Sequence, residues 1–119
     1  MKYLKIVLLL IFIIPITAWA APDVPVANTV TMVDIGSTTC IPCKMMNPVL
    51  KSLRAKYKER AAIIFSDINK SEREARKFGI NVIPTQIFFD RHGKEIWRHT
   101  GFLDLQSCEK QINLILTRP

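Results

Sequence analysis

Two cysteines separated by two residues, Cys40-Ile41-Pro42-Cys43, are the side chains in this sequence most suited to chemistry. A bridge between them would close almost no loop, so it would do little to restrict an unfolded chain. Three uses fit so tight a pair: reversible oxidation, metal ligation, or a static bridge at a helix start. Position favours the first. The pair follows an apolar, β-rich run and opens a stretch of helical periodicity. At a helix N-terminus the backbone N–H groups and the macrodipole favour negative charge. Cys40 is therefore expected to be the exposed, nucleophilic thiolate. Cys43, one turn in, is expected to be more buried and placed to attack a mixed disulfide held by Cys40. A zinc site would need about four ligands. Cys108, His92 and His99 have no suitable spacing, so no metal is expected.

Asp34 is the second notable side chain, a lone carboxylate in the run Thr29–Ile35. Burial disfavours its charged form and should raise its pKa. The alternative is an Asp at a strand end bonding loop amides. Cys108 falls on the apolar face of the last helical segment, where free cysteines pack as small hydrophobes; a regulatory or intermolecular bridge is the other reading. Trp97 and Phe102 read as packing residues, and neither His92 nor His99 has a nucleophile to serve.

The elements that must position these groups can be read from period and punctuation. Residues 29–35 read as a buried strand and Gly36–Thr39 as a small polar loop. Met46, Val49, Leu50, Leu53 and Tyr57 share one helical face, with Pro48 expected to kink the helix. Residues 61–66 read as a second strand. Ser71-Glu72-Arg73-Glu74 has the form of a capping box opening a short helix to Phe78, ended by Gly79. Residues 85–89 and 95–100 read as strands joined by a hairpin turn at Asp90–Lys94. A last helix is expected from Asp104, its N-cap, to Leu116. The order is β-α-β-α-β-β-α, with the first two strands parallel through a right-handed crossover and the last two antiparallel.

The N-terminus reads differently. Lys2 and Lys5 precede an apolar stretch from Ile6 to Ile16, and Ala18-Trp19-Ala20 has the small-x-small form of a peptidase site. The stretch is about eleven residues, short of the roughly 20 that a transmembrane helix needs. Residues 1–20 are therefore read as a signal peptide cleaved between Ala20 and Ala21, with an uncleaved membrane anchor as the alternative. Residues 21–28 read as a leader or linker. Export places the cysteines in a periplasmic or other extracytoplasmic compartment, where disulfides persist. Beyond residue 20 there remain 15 basic and 10 acidic residues, interspersed as on a solvated helix face, which argues against nucleic-acid binding.

The sequence resembles the thioredoxin family. The resemblance is carried by Val33-Asp34-Ile35, by Cys40-Ile41-Pro42-Cys43-Lys44-Met45-Met46 with Pro48, by Gly79-Ile80, by Ile83-Pro84-Thr85 and by Gly101. It runs from Thr29 to Leu116. It implies a thioredoxin-like α/β domain over residues 29–119, a minimal version with a central mixed four-stranded sheet flanked by helices. It implies a protein-disulfide reductase without a cofactor, whose redox disulfide joins Cys40 and Cys43. It further implies a cis peptide before Pro84, a substrate surface made by Ile41, Pro42, Ile83 and Pro84, and a catalytic Asp34 that exchanges a proton with Cys43. Departures from the family pattern are Thr39 where Trp is usual, Ile41 where Gly is usual, and Phe65 in place of a Lys near the buried Asp. Expected partners are disulfide-containing client proteins and a membrane thiol electron donor, with the protein a monomer. An oxidase of secreted proteins and a thiol- or metal-binding module without turnover are the competing functions.

Overall fold

The computed structural model describes Pro15, Ala20 and residues 22–119. The proposed signal sequence and its cleavage site fall almost wholly outside the described residues. Seven elements follow in the expected order: β1 (Val30–Gly36), α1 (Ile41–Lys56), β2 (Ala61–Asp67), α2 (Arg73–Lys77), β3 (Thr85–Phe89), β4 (Glu95–Thr100) and α3 (Leu105–Leu116). The sheet order is β2-β1-β3-β4. β1 runs parallel to β2 and antiparallel to β3, and β3 pairs antiparallel with β4. β1 is thus central, which explains its continuous burial: both faces are covered.

Alternation along β1 divides the core. Val30 and Met32 face α1 and α3, packing with Met46, Leu50, Leu53, Phe88, Cys108 and Ile112. Val33 and Ile35 face the other way, against Ile87, Phe89 and Phe78. Tyr57, fully buried, closes the first layer and donates its hydroxyl to Asn113 Oδ1 at 2.7 Å, joining α1 to α3. Helix α1 continues through Pro48. Asp104 caps α3 as expected, accepting from the Ser107 N–H at 2.8 Å.

The capping box at Ser71 does not form. The N-cap of α2 is Glu72, without a side-chain cap bond, and Ser71 Oγ accepts instead from the Arg73 N–H at 3.2 Å. Glu74 is buried and engaged elsewhere, accepting from Ser66 Oγ at 3.2 Å and from Arg73. Its carboxylate therefore cannot turn back to the start of so short a helix. Gly79 ends α2 at φ +65°, a conformation open to glycine, and lets the Ile80 N–H return to the Ala75 carbonyl at 2.8 Å.

The segment read as a leader is fastened to the domain. Val24 is buried in the layer with Val33 and Ile87. Lys77 Nζ donates to the Val24 carbonyl at 2.7 Å, and the Val26 N–H donates to Thr31 Oγ1 at 3.1 Å. Burying a valine side chain contributes roughly 1.5 kcal/mol or more, enough with these bonds to hold the segment down. Val24 thus joins the apolar layer that Ala75 and Phe78 also pack against.

Candidate active site

The site begins where β1 ends. Gly36 is the last residue of the strand, and Ser37, Thr38 and Thr39 carry the chain to the helix. Ser37 is buried, and its Oγ anchors the loop. It receives the Thr39 N–H at 3.2 Å and Asn69 Nδ2–H at 2.7 Å, and lies 2.9 Å from Thr39 Oγ1. The β2–α2 connection thereby holds the residue before Cys40.

Cys40 is the N-cap of α1, with extended backbone (φ −89°, ψ 126°). It forms a disulfide with Cys43, Cα to Cα 5.1 Å. The two sulfurs differ as expected: Cys40 is half-buried and Cys43 only 1% exposed. An incoming thiol or disulfide meets Cys40. The Cys43 N–H donates to Cys40 Sγ at 3.3 Å. That donor remains for a Cys40 thiolate when the disulfide opens, and donors at a helix start favour a thiolate. Pro42 has no N–H to add.

Beneath the pair lies Gly36. A Cβ there would sit 3.2 Å from Cys43 Sγ and 3.3 Å from the Phe65 ring, so the buried sulfur rests almost directly on the strand backbone. Asp34 is two residues back on the same face of β1, roughly 7 Å along the strand, and is fully buried. Gln86, its cross-strand neighbour, donates Nε2–H to Asp34 Oδ1 at 2.9 Å. Burial pushes the Asp34 carboxyl from its ordinary 3.8 up to about 6, against the opposing pull of Gln86 and of the Arg54 guanidinium. This carboxyl changes charge close to neutral pH. Phe65 is its register neighbour on β2, where the family pattern suggested a lysine.

The peptide bond between Ile83 and Pro84 is cis. Thr85 pairs with Ile35, so the turn at Pro84 lies at the end of the sheet where Gly36 leads into the cysteine loop. The Gly101 N–H donates to the Pro84 carbonyl at 2.7 Å and ties the turn to the end of β4. Pro84 is buried and Ile83 half-buried; Ile41 and Val82 are 74% and 57% exposed. The elements thus bring Cys40, Cys43, Asp34 and the Ile83–Pro84 turn to one end of the molecule.

Three contributors were not evident in the sequence. Gln86 stood in an apolar strand two residues after Pro84, and its polarity was a usable signal. Gly36 offered only its small size. Asn69 gave no signal, being 32 residues from the serine it holds. Cys108 is fully buried with its thiol pushed up to about 12 by burial, which makes it a packing residue. His99 stacks on Trp97 at 5.9 Å, with Nε2 3.1 Å from the Phe102 carbonyl. Among the described residues, no three of His, Cys, Asp and Glu gather as a metal site.

A redox-active dithiol at the start of a helix, on a mixed sheet beside a cis-proline turn, defines a thiol:disulfide oxidoreductase. A family model described as Thioredoxin matches residues 20–113. A thioredoxin of Chlamydia muridarum is 40% identical over 88 residues, 74% of this chain and 84% of that protein. One from Staphylococcus aureus is 38% identical over 80 residues, 67% and 76% of the two chains. The solved structure of a reduced thioredoxin pre-protein from Schistosoma mansoni superimposes with a TM-score of 0.65 at 32% identity, covering 74% and 80%. The chain belongs to the thioredoxin family, and its enzymatic class is thiol:disulfide oxidoreductase.

Proposed function

We propose that this protein is an exported reductant of protein disulfides, working outside the cytoplasm on electrons from a membrane thiol carrier. The observation that carries the direction is the sparse donor set at Cys40. Ile41 and Pro42 offer no side-chain hydrogen bond, Pro42 offers no N–H, and the Cys43 amide is the donor at the sulfur. A thiolate held by few donors does not strongly favour the dithiol, so the dithiol gives up electrons readily. Export rests on the basic, apolar and small-x-small succession of residues 1–20.

The reaction follows from the asymmetry of the pair. The Cys40 thiolate attacks a client disulfide, forming one S–S bond and releasing one client thiolate. Asp34 in its carboxylate form accepts the Cys43 proton. Cys43 then attacks Cys40 Sγ, the Cys40–client bond breaks, and the second client sulfur leaves with that electron pair and takes up a proton. The client gains two electrons and the Cys40–Cys43 pair loses them. The exposed apolar side chains Ile41 and Val82 would favour extended, apolar client segments, with the Ile83 backbone pairing as an added strand would. The protein acts as a monomer in this scheme.

One preparation tests direction and export together. Cells are quenched in acid, free thiols are alkylated, and the intact mass is read. The expected product begins at Ala21 with Cys40 and Cys43 both alkylated. A membrane-bound chain beginning at Met1 would show a tether instead. A fully oxidised Cys40–Cys43 pair in growing cells would contradict the reductant assignment and favour an oxidase.

A further inference from the structure

Gln86 is fully buried in a strand whose other residues are Thr85, Ile87, Phe88 and Phe89. An amide there costs stability unless its groups are bonded. Its bond to Asp34 is made, yet Asp34 Oδ2 and Gln86 Oε1 are both buried without a partner. An apolar side chain would be easier to bury beside Phe88. The amide is therefore poorly explained by packing and well explained by the carboxyl it faces.

The geometry points to Gln86 as a positioning residue for the proton transfer between Asp34 and Cys43, its amide partnering the carboxyl in both protonation states. This rests on the reading of Asp34 as the base for Cys43. When Asp34 is ionised, Nε2–H donates to Oδ1, as observed. When Asp34 is protonated on Oδ2, Oδ1 becomes the carbonyl oxygen and still accepts from Nε2–H, so the amide keeps its partner without turning. Oδ2 stays free of Gln86 and open to exchange a proton. In the release step the Cys43 S–H proton passes to Asp34. The Cys43 sulfur bonds to Cys40 Sγ, the Cys40–client bond breaks, and the client sulfur departs with that pair, to be protonated by Asp34 or solvent. The dithiol is oxidised by two electrons and the client reduced by two.

Burial sets the direction of the Asp34 shift, and Gln86 is the strongest polar influence opposing it. From α1 come Cys43 and the Arg54 guanidinium, whose charge favours the carboxylate. From α3 comes Cys108, neutral at any ordinary pH because burial pushes its thiol to about 12. On β2 the register neighbour is the uncharged Phe65. A lysine is not among these neighbours, so the amide takes the position of closest polar partner.

The test uses Gln86→Met, which keeps length and apolar fit, and Gln86→Glu, which keeps shape. Two readouts are followed from pH 5 to 9: the Asp34 side-chain 13C carboxyl resonance, and the single-turnover rate at which the reduced protein opens the disulfides of insulin. In Gln86→Met the loss of a hydrogen bond to the charged form should raise both midpoints together by about one unit. In Gln86→Glu a second carboxyl against the first should raise them further. An unshifted Asp34 resonance in Gln86→Met, with only a lowered melting temperature, would make Gln86 a packing residue and overturn the proposal. Asp34→Asn separates the two layers. If it flattens the rate profile while Gln86→Met leaves the profile in place, Asp34 remains the base and Gln86 alone loses its role. If Asp34→Asn leaves the profile unchanged, the base assignment itself fails and takes the proposal with it.

Discussion

A Cys43→Ser chain is expected to form one disulfide with a client and go no further. Cys40 keeps its half-exposed position, and the residue 43 N–H still points at its sulfur. The first attack should therefore survive. Release should not, because a serine hydroxyl in this buried position cannot supply a thiolate to attack Cys40. A serine hydroxyl is smaller than a thiol, so it fits the space in which Cys43 rests against Gly36. The fold should hold. Turnover in insulin reduction with dithiothreitol should fall to the uncatalysed background. Client complexes should accumulate on non-reducing gels and vanish on adding reductant. Cys40→Ser should abolish turnover and form no complexes at all. Folded Cys43→Ser protein that captures no client would argue that the pair binds thiols or metal without exchange.

Asp34→Asn should give the next largest effect, with opposite signs in stability and rate. The folded protein holds the Asp34 proton up to about pH 6, whereas the ordinary value is 3.8. Below about pH 4 both folded and unfolded chains carry the neutral acid and no difference arises. Between about 4 and 6 the folded chain binds more protons, so stability falls as pH rises. Above 6 the folded state holds a buried charge, at a cost of about 3 kcal/mol for a shift of some two units. Asparagine keeps the shape and never ionises. At pH 7 the variant should be more stable by about 2–3 kcal/mol, and the gain should shrink towards zero near pH 4. Its release step should slow on the order of 10–100-fold, near the lower end of general acid–base effects. Chemical denaturation at pH 4, 5, 6 and 7, beside single-turnover kinetics, checks both signs. Equal stability at pH 7 would mean that Asp34 is not strained by burial in the native state.

Much of this was legible because the signals are local. Cys40 and Cys43 announce themselves by spacing, and the β-α-β-α-β-β-α order follows from short periodic runs punctuated by Gly79, Gly93 and Gly101. Asp34 was conspicuous as a charge among apolar neighbours. The sequence misled where a local pattern was overruled by a tertiary contact. Ser71-Glu72-Arg73-Glu74 spells a capping box, but Ser66 and Arg73 claim the Glu74 carboxylate. Val24 stands in a proline-rich stretch that looks like a linker, and only the apolar layer of Val33, Ile35, Ile87 and Phe89 explains its burial. The bonds of Asn69 to Ser37 and of Gln86 to Asp34 join residues 32 and 52 apart, and no one-dimensional pattern records such partners.

The reduction potential of the Cys40–Cys43 pair tests the central claim most directly. The Cys40 thiolate meets one backbone donor and no side-chain donor from Ile41 or Pro42. An ionised Asp34 on the same face further disfavours a thiolate nearby. Both effects favour the disulfide and make the dithiol a good donor of electrons. The protein is equilibrated with glutathione or dithiothreitol buffers of defined ratio, quenched in acid, and read by alkylation of Cys40 and Cys43. The expected value lies near that of thioredoxin, about −270 mV, and far from the strong oxidants near −120 mV. A value above about −170 mV would contradict the reductant assignment and make this member of the family an oxidase.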